Sequence, residues 1–224
     1  MTPLKLIVGL GNPGPQYERT RHNVGAVWVA SLARDHGITL SEDSKFKGTI
    51  GRGNVGGQDV RLLIPTTFMN LSGDSVGAVA RFFKIEATEI LVAYDEMAFE
   101  PGIVRLKEGG GDNGHNGIKS VRSGLGNNPG FHRLRIGVGH PGDRNKVTAF
   151  LTQVKMPVSE EQLVEDATSL NASVLASVVR GDSTETDPWW IIDLGTEYLV
   201  SSIVLATSQD QTGGRPHSFA SAYL

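Results

Sequence analysis

The chain has 224 residues, a net charge of −3 and 39% hydrophobic residues, a composition that suits one sizeable globular core. It contains no cysteine, which excludes disulfide bonds and thiol catalysis. No run approaches the roughly 20 apolar residues of a membrane span, and the first residues lack the order of a signal peptide. We therefore expect a cytoplasmic protein that does not contact membranes.

Charge is unevenly distributed along the chain. Residues 102–147 carry eight Lys/Arg against three Asp/Glu, whereas residues 148–224 carry three against ten. A basic segment in an acidic protein is compatible with binding a polyanion, because only the face presented to phosphates matters. Charge alone fits an ordinary solvated surface equally well.

Short apolar runs alternate with amphipathic stretches over most of the chain. Residues 4–8 form a brief, partly β-branched run that ends at glycine, as a buried strand does. Residues 24–36 have helical periodicity and are closed by Gly37. Further strands are predicted at 46–52, 59–65, 89–93, 104–107 and 133–139, the last half-exposed; further helices are predicted at 74–83 (capped by Ser72), at 118–125 and from 157 onward. This alternation favours an α/β fold, a three-layer αβα domain with a mixed twisted sheet.

Glycines 9, 11 and 14 form a GxGxxG pattern, which by itself suggests a dinucleotide site. That interpretation requires a helix that opens at the third glycine and an acidic residue at the end of the next strand. Here Pro13 and Pro15 flank Gly14, and the next extended segment ends at Pro65 without an acidic residue. A dinucleotide-binding oxidoreductase is therefore kept only as a disfavoured alternative.

Polar side chains recur where the predicted strands end, which is where open α/β sheets bind ligands. A histidine with a carboxylate has the chemistry of a general base: His22 can deprotonate water while Asp95 fixes its tautomer and stabilises the imidazolium. Amides can donate to a developing oxyanion. Each residue taken singly is more often a surface or loop-stabilising residue, and only the set favours a site. The set is Asn12, His22, Asn70, Asp95 and Asn116.

Other hydrolytic chemistries lack their residues. No serine lies in a nucleophile elbow, and no histidine or carboxylate spacing predicts a metal site. We therefore expect chemistry that uses neither a metal ion nor a cofactor.

Several longer motifs carry a specific resemblance. They are GLGNPG at 9–14, TRHN at 20–23, PTTFMNLSG at 65–73, YDE at 94–96, GHNG at 114–117 and FHRLRIGVGHPG at 131–142. In this order they resemble the bacterial peptidyl-tRNA hydrolases, over residues 4 to about 166. The resemblance implies a monomeric α/β hydrolase without metal or cofactor. Its implied reaction is cleavage of the ester between a peptide and the 3′ ribose of tRNA, which recycles the tRNA.

The resemblance also implies residue roles. His22 is the general base and Asp95 orients it, while Asn12, Asn70 and Asn116 position the peptide end and stabilise the tetrahedral intermediate. The remaining implied contacts are with the substrate: they are Tyr17, Phe68 and Met69 along the peptide channel, His115 beside Asn116, and Lys107 with Arg135 on the terminal phosphate of the tRNA.

The sequence departs from the family pattern in three places. Residues 97–100 replace an acidic-apolar run, and Asp112 with Asn113 replaces a more usual His-Gly or Gly-Gly pair. After residue 182 the usual basic helix is missing, and residues 183–224 are similar to a fragment of a discoidin-type or fucose-lectin β-sandwich. We therefore predict a domain at 1–182 and a short β-rich extension at 183–224 that is not a complete domain. A carbohydrate-binding function through this extension stays as a further alternative.

Overall fold

The computed structural model describes residues 2–169 and residue 179. This part of the chain contains seven β-strands: β1 (Leu6–Gly9), β2 (Ser41–Asp43), β3 (Gly48–Val55), β4 (Gln58–Pro65), β5 (Ile90–Glu96), β6 (Val104–Glu108) and β7 (His132–Gly137). It also contains five α-helices: α1 (Val24–Asp35), α2 (Ser72–Phe83), α3 (Asn116–Gly124), α4 (Val147–Thr152) and α5 (Val158–Ser169). None of these helices has the length and apolar character needed to cross a membrane.

The seven strands form one mixed sheet in the order β2-β3-β4-β1-β5-β7-β6. Strand β1 is parallel to β4 and β5, and β5 is parallel to β7. The two edges of the sheet are antiparallel, with β2 and β3 on one side and β6 on the other. The carboxyl ends of the four central strands, β4, β1, β5 and β7, therefore lie along one edge of the sheet. Polar residues that follow these strands can meet there and form one site.

Two hydrophobic clusters pack on opposite faces of the sheet. Ile7 belongs to the cluster that contains apolar residues of α1, α4 and α5, whereas its neighbours Leu6 and Val8 belong to the cluster of α2 and α3. Successive side chains of a strand point to opposite faces, so helices cover both faces of the sheet. The predicted three-layer α/β architecture with a mixed sheet is confirmed.

Helix α1 lies unusually close to the sheet. A Cβ atom on Gly9 would lie 2.3 Å from the carbonyl oxygen of Gly25, and one on Gly25 would lie 2.2 Å from that of Ala93. Gly9 thus serves close helix–strand packing. No helix opens at Gly14, because the chain forms turns there and α1 begins only after a 3-10 turn at Arg21–Asn23. The dinucleotide interpretation therefore lacks the helix that it needs.

Two local predictions were wrong. Ser72 does not cap α2: it is the first residue of the helix, and its hydroxyl donates to the carbonyl of Met69 at 2.9 Å. Strand β7 is not half-exposed, since Arg133 is only 1% exposed. Its guanidinium donates to the carbonyls of Gly110 and Gly111 at 2.7 and 2.5 Å. These bonds stabilise the glycine-rich loop at 109–115.

Other predictions differ from the structure only at their boundaries or lie outside it. Asp95 belongs to β5 and does not follow it, and Asn116 opens α3, which begins two residues before the predicted start. The predicted domain boundary at residue 182 and the predicted extension at 183–224 lie outside the described residues.

Candidate active site

His22 and Asp95 form the centre of the site. The 3-10 turn before α1 carries His22, and the end of central strand β5 carries Asp95. The Nδ1 atom of His22 lies 2.9 and 3.0 Å from the two carboxylate oxygens of Asp95. A carboxylate accepts hydrogen bonds, so Nδ1 carries the proton and Nε2 has its lone pair free. This tautomer is the one that a general base requires.

The environment adjusts the pKa of both groups. Burial lowers the pKa of His22, but the charge and hydrogen bond of Asp95 outweigh that effect, and the net shift is upward. Burial raises the pKa of Asp95, but the neighbouring imidazoles of His115 and His22 outweigh it and hold that pKa well below its usual range. Asp95 is therefore ionised at neutral pH and stabilises a protonated His22.

His115 is the third member of this cluster. Its Nε2 atom lies 2.9 Å from Oδ1 of Asp95, and its ring centroid lies 5.0 Å from that of His22. Its Nδ1 atom accepts the backbone N–H groups of Gly117 and Ile118 at 3.1 and 3.2 Å, so His115 caps α3.

His22, Asp95 and His115 also form a group whose ligand atoms all lie within 4.8 Å of one another, as a metal site would require. A metal ion would have to replace the proton on Nε2 of His115 while Nδ1 still accepts from α3. The ring would then be an imidazolate, with no proton on either nitrogen. The hydrogen bonds present therefore do not fit a metal ion.

Hydrogen bonds to both its side chain and its backbone orient Asn12. Its side-chain oxygen accepts the N–H of Met69 at 2.8 Å, which leaves its side-chain NH₂ group for a ligand. The amide of Asn23 bonds to both the N–H and the carbonyl of Asn12, at 2.8 and 2.9 Å. Asn23 lies inside the TRHN motif, but sequence reasoning assigns it no role.

Asn70 and Asn116 lie at the adjacent ends of two tightly packed helices. A Cβ atom on Gly73 would lie 1.9 Å from the carbonyl oxygen of Ser120, so α2 and α3 are almost in backbone contact. Both asparagines are exposed, and within the described residues neither side chain makes a hydrogen bond. Their amide groups are therefore available to a ligand.

The predicted channel residues lie on neighbouring loops. Tyr17 and Phe68 make an edge-to-face contact with ring centroids 6.4 Å apart, and Phe68 is 51% exposed. Met69 is buried, and its sulfur lies against Gly117, where a Cβ atom would come within 2.4 Å. An exposed Phe68 beside a half-buried Tyr17 and a buried Met69 suits a peptide chain.

The loop that carries Tyr17 is held by residues of α5 and of the segment before it. The ammonium group of Lys155 donates to the carbonyls of Gln16, at 3.0 Å, and of Glu18. Arg21, next to His22, forms an ion pair with Glu160 at 2.6 Å. These distant partners restrain the two ends of the loop.

Lys107 and Arg135 lie on adjacent strands and on one face of the sheet. In the register of β6 and β7, Arg105 pairs with Arg135, so Lys107 is a diagonal neighbour of Arg135. Arg135 is not free, because its Nε and Nη2 atoms donate to Glu96 at 3.1 and 2.9 Å. Glu96 thus fixes the plane of the guanidinium, a feature that sequence reasoning missed.

The departures from the family pattern have local partners. Asp112 forms an ion pair with Arg122 at 3.0 Å, and this pairing compensates the extra negative charge in the glycine-rich loop. The ring of Phe99 lies 4.5 Å from the guanidinium carbon of Arg135 and 4.4 Å from that of Arg105. Residues 97–100 therefore support Arg105 and Arg135 through cation–π contacts. These arginines and Lys107 form the basic face of β6 and β7.

Comparisons with known proteins point to one family. Residues 6–187 match the family model for peptidyl-tRNA hydrolase. The chain is 57% identical over 167 residues to the peptidyl-tRNA hydrolase of Photorhabdus laumondii, covering 75% of this chain and 85% of that one. It is 52% identical over 185 residues to that of Yersinia enterocolitica, covering 83% and 93%. The crystal structure of the Acinetobacter baumannii enzyme matches with a TM-score of 0.77 at 47% identity, covering 81% and 91%.

Proposed function

The chain belongs to the peptidyl-tRNA hydrolase family, and from this premise we propose how its residues hydrolyse the ester between peptide and tRNA. The observation that carries the proposal is the pairing of His22 Nδ1 with Asp95 at 2.9 and 3.0 Å, which leaves Nε2 as the free base. The product is a free tRNA that can be charged again.

His22 activates the water. Its Nε2 atom takes one proton from a water molecule as the oxygen attacks the ester carbonyl, and the ionised Asp95 stabilises the imidazolium that forms. The tetrahedral intermediate then collapses, the bond to the ribose oxygen breaks, and Nε2 returns the proton to that oxygen. The products are a peptide carboxylic acid and a ribose hydroxyl.

The amide groups of three asparagines bind the reacting peptide end. The free NH₂ group of Asn12 and the unpaired amides of Asn70 and Asn116 donate to the peptide carbonyl oxygens and to the developing oxyanion. Tyr17, Phe68 and Met69 contact the peptide chain.

The basic face of β6 and β7 binds the terminal phosphate of the tRNA. Lys107 makes no ion pair within the described residues, and its ammonium group lies beside Gly110. Arg135 presents a fork whose orientation Glu96 fixes. Together they supply one mobile and one oriented positive charge.

The enzyme is also proposed to act as a monomer in the cytoplasm. Every proposed site residue comes from one chain, and the absence of cysteine fits a reducing compartment. Static light scattering of the pure protein, with and without tRNA, tests the monomer: a stable dimer would contradict it.

One assay tests the proposal as a whole. The protein is incubated with N-acetylated aminoacyl-tRNA in the presence of a metal chelator, and release of the acylated amino acid is followed. We expect full ester cleavage by the native protein and a loss of roughly 10² to 10⁴ in rate for His22→Ala, the usual contribution of a general base. An active His22→Ala protein would refute the assignment, and inhibition by the chelator would refute the metal-free mechanism.

A further inference from the structure

We infer that His115 is a positioning residue that holds Asp95 for His22, and that it does not bind the substrate through its ring nitrogens. The inference rests on the proposed function for its kinetic consequences, but its structural basis is independent. It changes the role that the family resemblance implies for His115, which is contact with the substrate.

Both nitrogens of His115 are already occupied. Nδ1 accepts the N–H groups of Gly117 and Ile118 at the start of α3, and Nε2 faces Asp95 at 2.9 Å. An atom that accepts two backbone N–H groups has no proton, so the single proton of the neutral ring is on Nε2. Helix α3 thereby dictates that His115 donates to Asp95.

The carboxylate of Asp95 is in turn shared by two imidazoles. Its Oδ1 atom is 2.9 Å from both Nδ1 of His22 and Nε2 of His115, and its side chain is only 1% exposed. Because the carboxylate is shielded from solvent, it keeps its rotamer and its charge through these two donors. Loss of either donor therefore disturbs the other partner.

Other titratable groups lie beyond this cluster. The ring of Tyr94 packs edge-on against His115 with centroids 4.9 Å apart, and burial raises the pKa of Tyr94, so it stays neutral. The charge of Glu96 also raises the pKa of Tyr94, whereas Arg135 and Arg133 lower it. In the described residues, the side chains of His22 and His115 are the hydrogen-bond partners of the Asp95 carboxylate.

The substitution His115→Asn separates the two roles of His115, which are the cap on α3 and the donation to Asp95. Asparagine is a good helix N-cap and can accept from the start of α3, but it is too short to reach Asp95. His115→Ala removes both the cap on α3 and the donation to Asp95. A loss common to both variants therefore reports the Asp95 contact, and a loss of thermal stability confined to His115→Ala reports the cap.

We expect His115→Asn to lower kcat roughly 10- to 100-fold, the loss known for outer partners that orient metal-bound imidazoles, with KM for N-acetylated aminoacyl-tRNA unchanged within about twofold. Without the Nε2–H donor, Asp95 is a stronger base and attracts the His22 proton more strongly. The acid limb of the kcat profile should therefore move to higher pH. A raised KM with an unmoved acid limb would overturn the inference and make His115 a substrate ligand.

A nuclear magnetic resonance titration of the ¹⁵N-labelled histidines supplies a readout that needs no turnover. His115 should show the neutral form protonated on Nε2, and His22 the form protonated on Nδ1, with a higher titration midpoint for His22 in the His115→Asn protein. A proton on Nδ1 of His115 would overturn the inference. If His22→Ala keeps its activity, the proposed function fails, yet this spectrum still decides the state of His115.

Discussion

The side-chain amide of Asn23 pairs with the backbone of Asn12 through two hydrogen bonds, 2.8 Å from the Asn12 N–H and 2.9 Å to its carbonyl. Asn23 is only 9% exposed, so water does not compete for these bonds. A two-point contact fixes the backbone of Asn12 on both sides of its Cα atom. Since the side-chain oxygen of Asn12 is held by Met69, the direction of its free NH₂ group is fully determined.

Substitution of Asn23 should therefore lower the rate through Asn12. We expect Asn23→Asp, which keeps the acceptor and loses the donor, to reduce kcat about tenfold, or about 1.4 kcal/mol of transition-state stabilisation, with little change in KM. The same substitution in an Asn12→Ala background should have no further effect on kcat. Additive losses in the double variant would contradict a role through Asn12.

Asn54→Ala is the matched control for that experiment. Asn54 also accepts a backbone N–H, from Gly57 at 3.0 Å, but it lies at the end of β3, next to the turn that leads to β4. Its loss should leave kcat unchanged. Thermal midpoints of all variants would show whether any loss of rate reflects unfolding.

The pH profile provides a second prediction. A base acts in its neutral form, so the rate rises with pH and reaches half its maximum at the pKa of His22. Because Asp95 raises that pKa above its ordinary value, the acid limb should lie above about pH 6.5. In Asp95→Asn the charge is lost while burial remains, so the limb should move below that of the native protein.

The turnover of Asp95→Asn should fall less than that of His22→Ala, because the base is still present. Rates measured from pH 5 to 9 at saturating substrate would show the shift. An unmoved acid limb in Asp95→Asn would mean that another group limits the rate.

The sequence could predict the elements and the edge of the sheet on which the site lies. Short apolar runs and helical periodicity are local signals, and the central strands β1, β4 and β5 were found within a few residues. Polar motifs after those runs had to converge once the strands were parallel. The resemblance then supplied the roles of residues that the pattern alone left open.

Other features depend on pairs that are distant in the sequence. Arg133 looked like an exposed strand residue because its alternation with leucine is typical of a half-buried strand, yet it bonds to a loop that begins more than twenty residues earlier. The Asp95 contact with His115 depends on how the start of α3 lies against the end of β5, and the Arg135 contact with Glu96 depends on the register of β5 and β7. No local pattern contains that register, so these contacts required the structure.

The contact between α2 and α3 gives a prediction of stability. Gly73→Ala would place a Cβ atom 1.9 Å from the Ser120 carbonyl, and backbone cannot move aside as a side chain does. We expect a loss of about 1–3 kcal/mol, the usual cost of overpacking. Gly111→Ala is the control, because its Cβ atom would meet nothing within 4 Å and its φ is not positive. Equal thermal midpoints for the two variants would contradict this account of the contact.

Removal of residues 183–224 should leave kcat within a few-fold of the native value. All proposed site residues lie at or before Arg135, and the family match ends at residue 187. Activity and thermal midpoint of the shortened chain would be compared with those of the full chain. A shortened protein that still folds but has lost its turnover would show that the extension contributes to the site.

The last prediction concerns the terminal phosphate of the tRNA. Lys107→Ala and Arg135→Ala should each raise KM for full-length peptidyl-tRNA, with little effect on a short substrate that lacks that phosphate. Each lost phosphate contact should reduce the slope of log affinity against log salt by roughly one unit.

Lys45→Ala is the control of equal charge: Lys45 follows β2, at the edge of the sheet opposite β6, and its loss should leave the slope unchanged. Because Arg135 is already paired with Glu96, its contribution should be smaller than that of Lys107. Unchanged affinity and an unchanged salt slope in the Lys107→Ala/Arg135→Ala double variant would place the tRNA contact elsewhere on the basic segment 102–147.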